Sequence, residues 1–390
     1  MPLRALAAVN VAAIERNVAR FARQLATGCR ICAVVKAEGY GHGAVASARA
    51  AQAGGAQWLA VATAQEAVAL RAAGAEGRLL VMGSLLGDDL DAALAAGADV
   101  VAWREAFVEA VAARGGGRIH VKLDTGMGRL GTRDPEEATR VAEAAAAAPG
   151  VELAGAMTHF ATADERGDTF FAAQLERFRA WALPLRERHR GLIVHAANSA
   201  AILRDRDAHL DMVRPGVGIY GLDPFGADPT AHELEPALEL RAAVAALKPI
   251  RPGESAGYGR RFVAREPTTI ATLPVGYGDG WSRALTNAAD VLLADERRPL
   301  VGTVSMDYVT VDAGPAPRVA VGDEAVLLGA RGGERILAEE VARRLGTINY
   351  EVTTALLARI PRAHHRDGEP VDAEAAALLA GAQGAPERAL

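Results

Sequence analysis

Short apolar runs and alanine-rich helical stretches alternate between residues 31 and 222 of this 390-residue chain. A short continuous apolar run is typical of a strand that is buried on both faces of a parallel sheet. Eight such runs are present, and a helical stretch follows each of the first seven: Ile31–Lys36, Trp58–Ala62, Leu79–Met82, Val100–Trp103, Ile119–Asp124, Leu153–Thr158, Leu192–Ala196 and Met212–Arg214. Eight strand–helix repeats predict a (β/α)8 barrel of the TIM type.

The pattern changes after the eighth run. Asp-Pro and Glu-Pro pairs between Leu222 and Pro236 indicate a linker. Beyond it we predict a largely β domain, with strands at Leu238–Pro249, Thr268–Val275, Val291–Ala294, Leu300–Val304, Val309–Asp312 and Ala325–Leu328, and helices at Ala338–Leu345 and Val352–Ile360. The N-terminus predicts a strand at Ala5–Val9, a cap at Asn10 and a helix from Val11 to Leu25. We therefore expect a barrel over residues 9–230, a β-rich domain over 236–368 together with 1–8, and a flexible tail over 369–390.

Composition narrows the possible partners. The formal net charge of −5, with no block of basic residues, argues against nucleic acid. No apolar run approaches the ~20 residues of a membrane-spanning helix, so we predict a cytoplasmic protein with no membrane partner. The two cysteines, Cys29 and Cys32, form a C-x-x-C pair that enters a strand instead of following one. With no second pair to complete a zinc site, we interpret them as core residues and predict no metal.

Lys36 stands at the end of the first apolar run, before glycines at 39, 41 and 43. A lysine at the mouth of a buried strand loses hydration, so its pKa falls and its amine becomes nucleophilic. Such an amine is suited to form a covalent bond with a carbonyl carbon. The alternative is a lysine that leaves the strand into solvent.

Polar residues also follow other predicted barrel strands. The carboxyl ends of all strands in a barrel meet at one rim, where active sites of this fold lie. The rim is predicted to carry Lys36 after the first strand, Arg129 after the fifth, His159 after the sixth, Asn198 and Ser199 after the seventh, and Arg214 after the eighth. Alternate side chains of a strand share a face, so His120, Lys122 and Asp124 are predicted to point into the barrel.

A series of short motifs runs in order along the chain. They are Ala33–Gly43 (AVVKAEGYGHG), Lys122–Gly131 (KLDTGMGRLG), Thr158–Ala161 (THFA), Ala197–Ser199, Arg214–Gly216, Gly257–Gly259, Gly276–Gly280 (GYGDG), Ser305–Asp307 and Ile348–Glu351 (INYE). Together they resemble the signature of the alanine racemase family over roughly residues 5–365.

The resemblance implies a cofactor, pyridoxal 5′-phosphate, bound covalently by Lys36. Racemisation needs a proton removed from one face of Cα and returned on the other, and the resemblance implies Lys36 and Tyr258 of the partner subunit as the two bases. Arg214, flanked by His159, is implied to meet the ring nitrogen. An arginine can only donate, so it would hold that nitrogen unprotonated. The phosphate is implied to lie after the last two strands, on Tyr40, Asn198, Ser199, Gly216, Val217 and Tyr350.

The substrate residues implied by the resemblance come from both domains. Arg129 is implied to hold the substrate carboxylate or the phenolic oxygen of the cofactor, and Tyr277, Met306 and Asp307 to line the substrate mouth of the partner subunit. A site shared between two chains implies a two-fold homodimer.

Lys122 is implied to be carbamylated by carbon dioxide, which would let it pair with Arg129.

Two positions depart from the family pattern near the substrate mouth. Tyr308 stands where relatives often carry Gln or Met, and Gly278 where many carry Ala. They bear on the breadth of substrates more than on the chemistry.

The leading interpretation is interconversion of L- and D-alanine, supplying D-alanine for peptidoglycan. A racemase of broader or different specificity, for serine or basic amino acids, is the nearest alternative. A pyridoxal-dependent decarboxylase of similar barrel fold is disfavoured by Arg214, since such enzymes generally place a carboxylate at the ring nitrogen. A non-enzymatic cofactor-binding barrel is disfavoured by the second domain.

Overall fold

A computed structural model describes residues 3–382. The chain begins with strand β1 (Ala5–Asn10), which leads directly into helix α1 (Val11–Gln24). The Asn10 side chain caps α1 by accepting the N–H of Ala12 at 3.1 Å. Strand, cap and helix therefore agree with the prediction from the sequence.

The next eight strands close into a barrel with parallel pairing throughout, which confirms the predicted fold. They are β2 (Arg30–Val34), β3 (Trp58–Val61), β4 (Arg78–Val81), β5 (Asp99–Ala102), β6 (Gly117–Lys122), β7 (Val151–Met157), β8 (Ile193–His195) and β9 (Met212–Val213). The helical segments around them are α2 (Lys36–Tyr40), α3 (Ala44–Ala53), α4 (Ala64–Ala72), α5 (Asp88–Ala95), α6 (Glu105–Ala112), α7 (Pro135–Ala147), α8 (Phe170–Arg188) and α9 (Ser199–Arg204). Their apolar faces pack on the strands in one continuous core.

The second domain is mainly β. Its strands are β10 (Leu238–Ala243), β11 (Ala246–Ile250), β12 (Ser255–Ala256), β13 (Phe262–Val263), β14 (Thr268–Leu273), β15 (Asp290–Leu293), β16 (Glu296–Pro299), β17 (Val309–Gly314), β18 (Glu324–Arg331), β19 (Glu334–Ile336), β20 (Arg362–Arg366) and β21 (Glu369–Pro370). Its helices are α10 (Ala338–Leu345), α11 (Asn349–Thr354) and α12 (Ala373–Ala382). The main sheet has the order β16-β15-β18-β10-β1-β20-β21, so β1 lies between two strands of this domain.

Three predicted elements of the second domain differ from the structure. The strand predicted at Leu238–Pro249 is two strands, β10 and β11, which belong to different sheets. Residues Leu300–Val304 do not form a strand, and only Leu300 makes a bridge, to Val311. The strand is β16 instead, because a tight turn at Ala294 and Asp295 (φ 50° and 64°) pairs its charged residues with β15. The helix predicted at Val352–Ile360 is α11, which begins three residues earlier and ends six residues earlier. The helix does not continue because carbonyls beyond its end accept hydrogen bonds from Arg362.

Residues 369–382, the first part of the expected flexible tail, contain β21 and α12, and residues 383–390 lie outside the described part. The side chain of Asp372 caps α12 at the N–H of Ala375 at 2.8 Å, and Gly381 accepts the N–H of Leu3 at 2.9 Å. Ala375 is buried, and α12 packs against β20 and β1.

Two further predictions concern membrane-spanning helices and the two cysteines. Within residues 3–382 no helix is long and apolar enough to cross a membrane. Cys29 and Cys32 are free thiols, and burial raises their pKa to about 11 and about 12. Both therefore stay protonated at neutral pH, as expected of core residues.

Candidate active site

Lys36 follows β2 and opens α2, whose backbone is a left-handed turn. Ala37, Glu38 and Gly39 have φ of 51°, 52° and 59°, and Tyr40 has 54°. Left-handed backbone costs about 1–2 kcal/mol for each residue other than glycine, so the turn forms only where its surroundings hold it. The Lys36 side chain is half-buried here. Burial, and then the charge of Arg129, lowers the pKa of its amine.

Glu66 holds the first residue after the lysine. Its carboxylate accepts the N–H of Ala37 at 2.6 Å and the N–H groups of Ala62 and Thr63 at 2.8 and 3.1 Å. The Thr63 hydroxyl accepts the Glu66 N–H in return at 3.2 Å, which completes a capping box on α4. One carboxylate thus ties the lysine turn to the end of β3 and the start of α4.

The far end of the turn is held by the second domain. Arg362 donates to the carbonyl of Gly41 at 3.1 Å and also to three carbonyls just after α11. His364 donates to the carbonyl of His42 at 2.8 Å. Gly41 approaches α11 so closely that a Cβ there would lie 2.1 Å from the Thr353 oxygen, and its φ of 88° also requires glycine.

Arg214, directly after β9, is buried and held in one orientation by three hydrogen bonds. It donates to Nδ1 of His195 at 2.6 Å and to the carbonyls of Thr158 and Ala196 at 2.7 and 2.9 Å. Its Nη2 lies 3.4 Å from Nδ1 of His159. Burial lowers the pKa of Arg214 to about 10, which leaves it cationic at neutral pH. Burial and the Arg214 charge hold the pKa of His159 well below its usual value, so that ring is neutral.

Lys122, at the end of β6, is 5% exposed and adds another cation to this rim. Burial, then the charges of Arg214 and Arg129, lowers its pKa to about 8. Within residues 3–382, no hydrogen bond or ion pair joins the side chain of Lys36, Lys122 or Arg129 to an acidic group. The rim is therefore a positive site suited to an anionic ligand.

Asp124 is buried two residues beyond the end of β6. Its carboxylate accepts the N–H groups of Gly126 and Gly128 at 3.0 Å and the Nε–H of Arg133 at 3.2 Å, which fixes the loop that follows. His120 and Lys122 are buried as predicted.

A cluster of hydroxyl and amide groups lies after β8 and β9. The Ser199 hydroxyl accepts the N–H groups of Gly216 and Gly218 at 3.0 and 3.2 Å. Val217, between these glycines, begins a short 3-10 turn that ends at Tyr220. A Cβ at residue 216 would lie 2.4 Å from the Tyr40 hydroxyl, so only glycine fits. Such a close approach of backbone and hydroxyl groups fits a phosphate.

Asn198 and three tyrosines lie around this cluster. Asn198 caps α9 by accepting the N–H of Ala201 at 2.9 Å. The rings of Tyr40 and Tyr350 lie 6.0 Å apart, and Tyr220 packs on Tyr40 at 5.1 Å. Burial raises the pKa of both Tyr40 and Tyr350, so each phenol keeps a proton to donate.

Tyr258 is not brought to this rim within one chain. It lies between two glycines of positive φ, its side chain is 74% exposed, and its carbonyl accepts the Thr303 hydroxyl at 2.7 Å. The groove beside it is lined by second-domain residues alone: Gly257, Thr272, Thr303, Ser305, Met306, Asp307, Tyr308 and Thr310. The second domain thus presents this phenol outward, next to three of the residues predicted near the substrate mouth.

The loop with Tyr277 lies against the loop with Met306. Backbone N–H groups of Tyr277 and Gly278 donate to the carbonyls of Ser305 and Met306 at 3.0 and 2.8 Å. A Cβ at Gly278 would lie 2.5 Å from Arg359 Nη1, so the glycine at this position leaves room for the Arg359 side chain.

Arg359 links the mouth to the interior of the domain. It donates to Asp307 at 2.7 Å and lies 3.4 Å from buried Asp279. Arg4 pairs with the same Asp279 at 2.5 Å. The orientation of Asp307 therefore depends on a chain of charges that begins near the N-terminus.

Comparison with known proteins identifies this arrangement. The models of the N-terminal and C-terminal domains of alanine racemase match residues 9–224 and 237–364. The chain belongs to the alanine racemase family. An alanine racemase of Symbiobacterium thermophilum is 40% identical over 362 residues, covering 91% of this chain and 96% of that protein. Alanine racemase 2 of Bacillus subtilis is 41% identical over 93% of this chain and 94% of its own length. The crystal structure of alanine racemase from E. faecalis superposes with a TM-score of 0.87 at 36% identity, covering 93% of this chain and 98% of that one.

Several residues of this alanine racemase family member escaped the sequence analysis. Glu66 carries a signal, since Thr63-x-x-Glu66 is a capping-box pattern, but nothing in that pattern predicts its bond to Ala37. His195 also carries one, because it is a polar residue inside an apolar strand. Arg362 has no local signal, since its partners are carbonyls from distant segments.

Proposed function

We propose that this protein is a pyridoxal 5′-phosphate-dependent enzyme that interconverts L- and D-alanine. The observation that carries the proposal is that one barrel rim combines three features: the half-buried amine of Lys36, the close approach of the Gly216 backbone to the Tyr40 hydroxyl, and the donor-only Arg214. An uncompensated positive rim of this kind suits both a phosphate and an amino-acid carboxylate.

The residues present fit the cofactor. Lys36 would bond to its carbonyl carbon, and Arg214 would face its ring nitrogen. The phosphate would lie on Ser199 and the residues around it: Tyr40, Asn198, Gly216, Val217 and Tyr350. Bound pyridoxal phosphate supplies a conjugated ring that stabilises negative charge at Cα of an attached amino acid. Arg214 has no proton acceptor to offer, so it keeps the ring nitrogen unprotonated and limits that stabilisation, which suits an enzyme that only moves a proton.

Two bases on opposite faces account for racemisation. The Lys36 amine is freed when the substrate amine takes its place on the cofactor. It then removes or returns the Cα proton on one face, and the phenol of Tyr258 does so on the other. Arg129 binds the substrate carboxylate, and Tyr277, Met306 and Asp307 surround the mouth. Tyr258 is exposed on its own β-rich domain, beside a groove lined by that domain, so it would serve the barrel of a second copy. We therefore propose a two-fold homodimer with two shared sites.

The direct test is racemisation by the purified protein loaded with pyridoxal phosphate. L-alanine in D2O is expected to give D-alanine, with deuterium at Cα of the product. Lys36→Ala is expected to remove both the covalent cofactor and the activity. A Lys36→Ala protein that keeps both would refute the assignment. Competition with L-serine and L-lysine separates an alanine enzyme from one of broader preference.

A mixed-dimer assay tests the shared site. Lys36→Ala and Tyr258→Phe chains are each expected to be inactive as homodimers. A heterodimer of the two has one site with both bases intact and one with neither. Random mixing makes half of all dimers heterodimers, so about a quarter of wild-type activity is expected. No recovered activity on mixing, in dimers shown to exchange chains, would exclude a base supplied across subunits.

We also propose that Lys122 carries a carbamate. Its pKa of about 8 leaves about a quarter of the amine neutral at pH 7.5. The neutral nitrogen attacks the carbon of carbon dioxide, a C–N bond forms, one C=O electron pair moves to oxygen, and a proton leaves to water. The resulting anion offsets Arg129 and Arg214. Protein exchanged into 13C-bicarbonate is expected to show a carbamate carbon signal that Lys122→Gln lacks; a signal unchanged in that variant would contradict it.

The product is proposed to supply D-alanine for peptidoglycan. Expression in a bacterium that lacks its own alanine racemases, and needs added D-alanine to grow, is expected to remove that need. The Tyr258→Phe variant serves as the control, and growth supported equally by both would count against this role.

A further inference from the structure

A line of buried hydrogen bonds leaves Arg214 and runs along the interior of the barrel. Nη1 of Arg214 lies 2.6 Å from Nδ1 of His195, and Nε2 of His195 lies 2.8 Å from Nδ1 of His120. Nε2 of His120 lies 3.1 Å from a carboxylate oxygen of Asp99. All four side chains are buried. The line therefore joins the proposed ring-nitrogen residue to the first residue of β5, at the opposite end of the barrel strands.

The direction of every proton in this line is fixed from its two ends. Arginine can only donate, so Nδ1 of His195 must accept and Nε2 must carry the proton. That proton is donated to Nδ1 of His120, whose own proton is therefore on Nε2 and is donated to Asp99. From the other end, an ionised carboxylate can only accept, which requires the same tautomer of His120. The two ends agree, so both rings are neutral and carry their proton on Nε2.

Asp99 is held in its accepting state by charges at the amino end of the barrel. It accepts from Arg118 Nε at 2.7 Å and from Arg78 Nη2 at 2.9 Å, in addition to His120. Burial alone would raise the pKa of Asp99, but the hydrogen bond from His120 and the charges beside it outweigh burial and lower it. Three donors converge on this carboxylate, so it has no acceptor to which it could itself donate.

We propose that Asp99 is a positioning residue for the active site: it fixes the tautomers of His120 and His195, and so leaves Arg214 with an acceptor where it needs one. If the line were reversed, His195 would present an N–H to an arginine N–H at 2.6 Å, and Arg214 would move. The catalytic meaning of this inference rests on the proposed function, whereas the tautomers themselves do not. The active site is thus tuned from the far end of the barrel, through side chains that never touch substrate.

The first test is made on the wild-type holoenzyme and needs no variant. Histidine labelled with 15N distinguishes ring nitrogens that carry a proton from those that do not, and His120→Gln and His195→Gln spectra assign the two rings. Both are expected to be neutral with the proton on Nε2. A charged ring, or a proton on Nδ1 of either, would overturn the inference whether or not the protein racemises alanine.

The second test compares Asp99→Asn with Arg118→Gln. An asparagine can donate to His120 and reverse the line, whereas Arg118→Gln disturbs the same end but keeps the carboxylate. Asp99→Asn is expected to place a proton on Nδ1 of His195 and to lower kcat for alanine at least tenfold with little change in KM. Arg118→Gln is expected to keep both tautomers and stay within about threefold of wild type. Loss of activity in Asp99→Asn with unchanged tautomers would overturn the inference, as would changed tautomers with unchanged kcat. If Asp99→Asn does not fold, the wild-type spectrum decides.

Discussion

Removing the Glu66 carboxylate is expected to loosen the turn that carries Lys36. Ala37 and Glu38 are the first two left-handed residues of that turn, and together they cost about 2–4 kcal/mol. The bond from the Ala37 N–H to Glu66, at 2.6 Å, offsets part of this cost. A hydrogen bond to a charged group contributes about 1.5–3 kcal/mol, and the lower value applies to a half-buried carboxylate. A loss of about 1.5 kcal/mol corresponds to roughly tenfold in the population of the turn.

Glu66→Ala is therefore expected to racemise alanine about tenfold more slowly than wild type, and to bond covalently to added pyridoxal phosphate more slowly by a similar factor. Steady-state kinetics and the rate of cofactor attachment to the apoprotein measure the two effects. Glu66→Gln keeps an oxygen for the Ala37 N–H and loses only the charge, so it is expected to stay within about threefold of wild type.

Thr63→Ala is the matched control for helix stability. It removes the reciprocal bond of the capping box at a cost of about 1 kcal/mol, and it leaves the bond from Glu66 to Ala37 in place. It is expected to lower the free energy of unfolding without slowing cofactor attachment. The reasoning would be refuted if Glu66→Ala attached cofactor at the wild-type rate, or if Thr63→Ala slowed it equally.

Three further predictions follow from other parts of the site. Gly216→Ala places a Cβ 2.4 Å from the Tyr40 hydroxyl, so a binding titration is expected to show pyridoxal phosphate affinity at least tenfold weaker. Tyr40→Phe in the same chain is expected to recover part of the lost affinity. No recovery would contradict the clash. Because the pKa of Lys122 falls from 10.5 to about 8 on folding, the unfolded chain binds more protons between those values and stability rises with pH there. In buffer free of carbon dioxide, Lys122→Gln is thus expected to raise the free energy of unfolding at pH 7 by up to about 3 kcal/mol. This gain is expected to shrink towards pH 10. Denaturant titrations that show no gain at pH 7 would count against a buried ammonium. Gly278→Ala displaces Arg359 from Asp307 and is expected to raise KM for alanine by no more than about fivefold with kcat unaltered, whereas a fall in kcat alone would contradict a role confined to the mouth.

The barrel could be predicted from the sequence because each of its strands is encoded locally. Ile31–Val34 and its seven counterparts are short, mostly apolar runs, and every one of them contains a strand of the closed barrel. Strand ends then predicted a shared rim, which is where the structure places Lys36, His159 and Arg214. In the second domain the signal is weaker, since β16 has the sequence Glu-Arg-Arg-Pro and is paired through its backbone.

The supports of the site could not be predicted in the same way. Glu66 acts on residue 37, Arg362 on residue 41, and Asp99 on Arg214 through two histidines. Each contact joins segments that are remote in sequence, and each uses a charged residue whose local pattern is that of an ordinary cap or surface group. Only the three-dimensional register of the strands brings these partners together.

The central place of β1 has a consequence for synthesis of the chain. This strand is buried along almost its whole length, yet its partners, β10 and β20, follow it by more than 200 and more than 300 residues. At translation rates of about 5–20 residues per second, those partners leave the ribosome roughly ten to seventy seconds after β1. Until β10 and β20 have been synthesised, the two edges of β1 lack their partner strands. This apolar strand is meanwhile attached to α1, which packs on the growing barrel. We therefore expect the nascent chain to need protection of β1 from aggregation. A circular permutant that begins at α1 would not need it, because β1 would then be synthesised after β10 and β20.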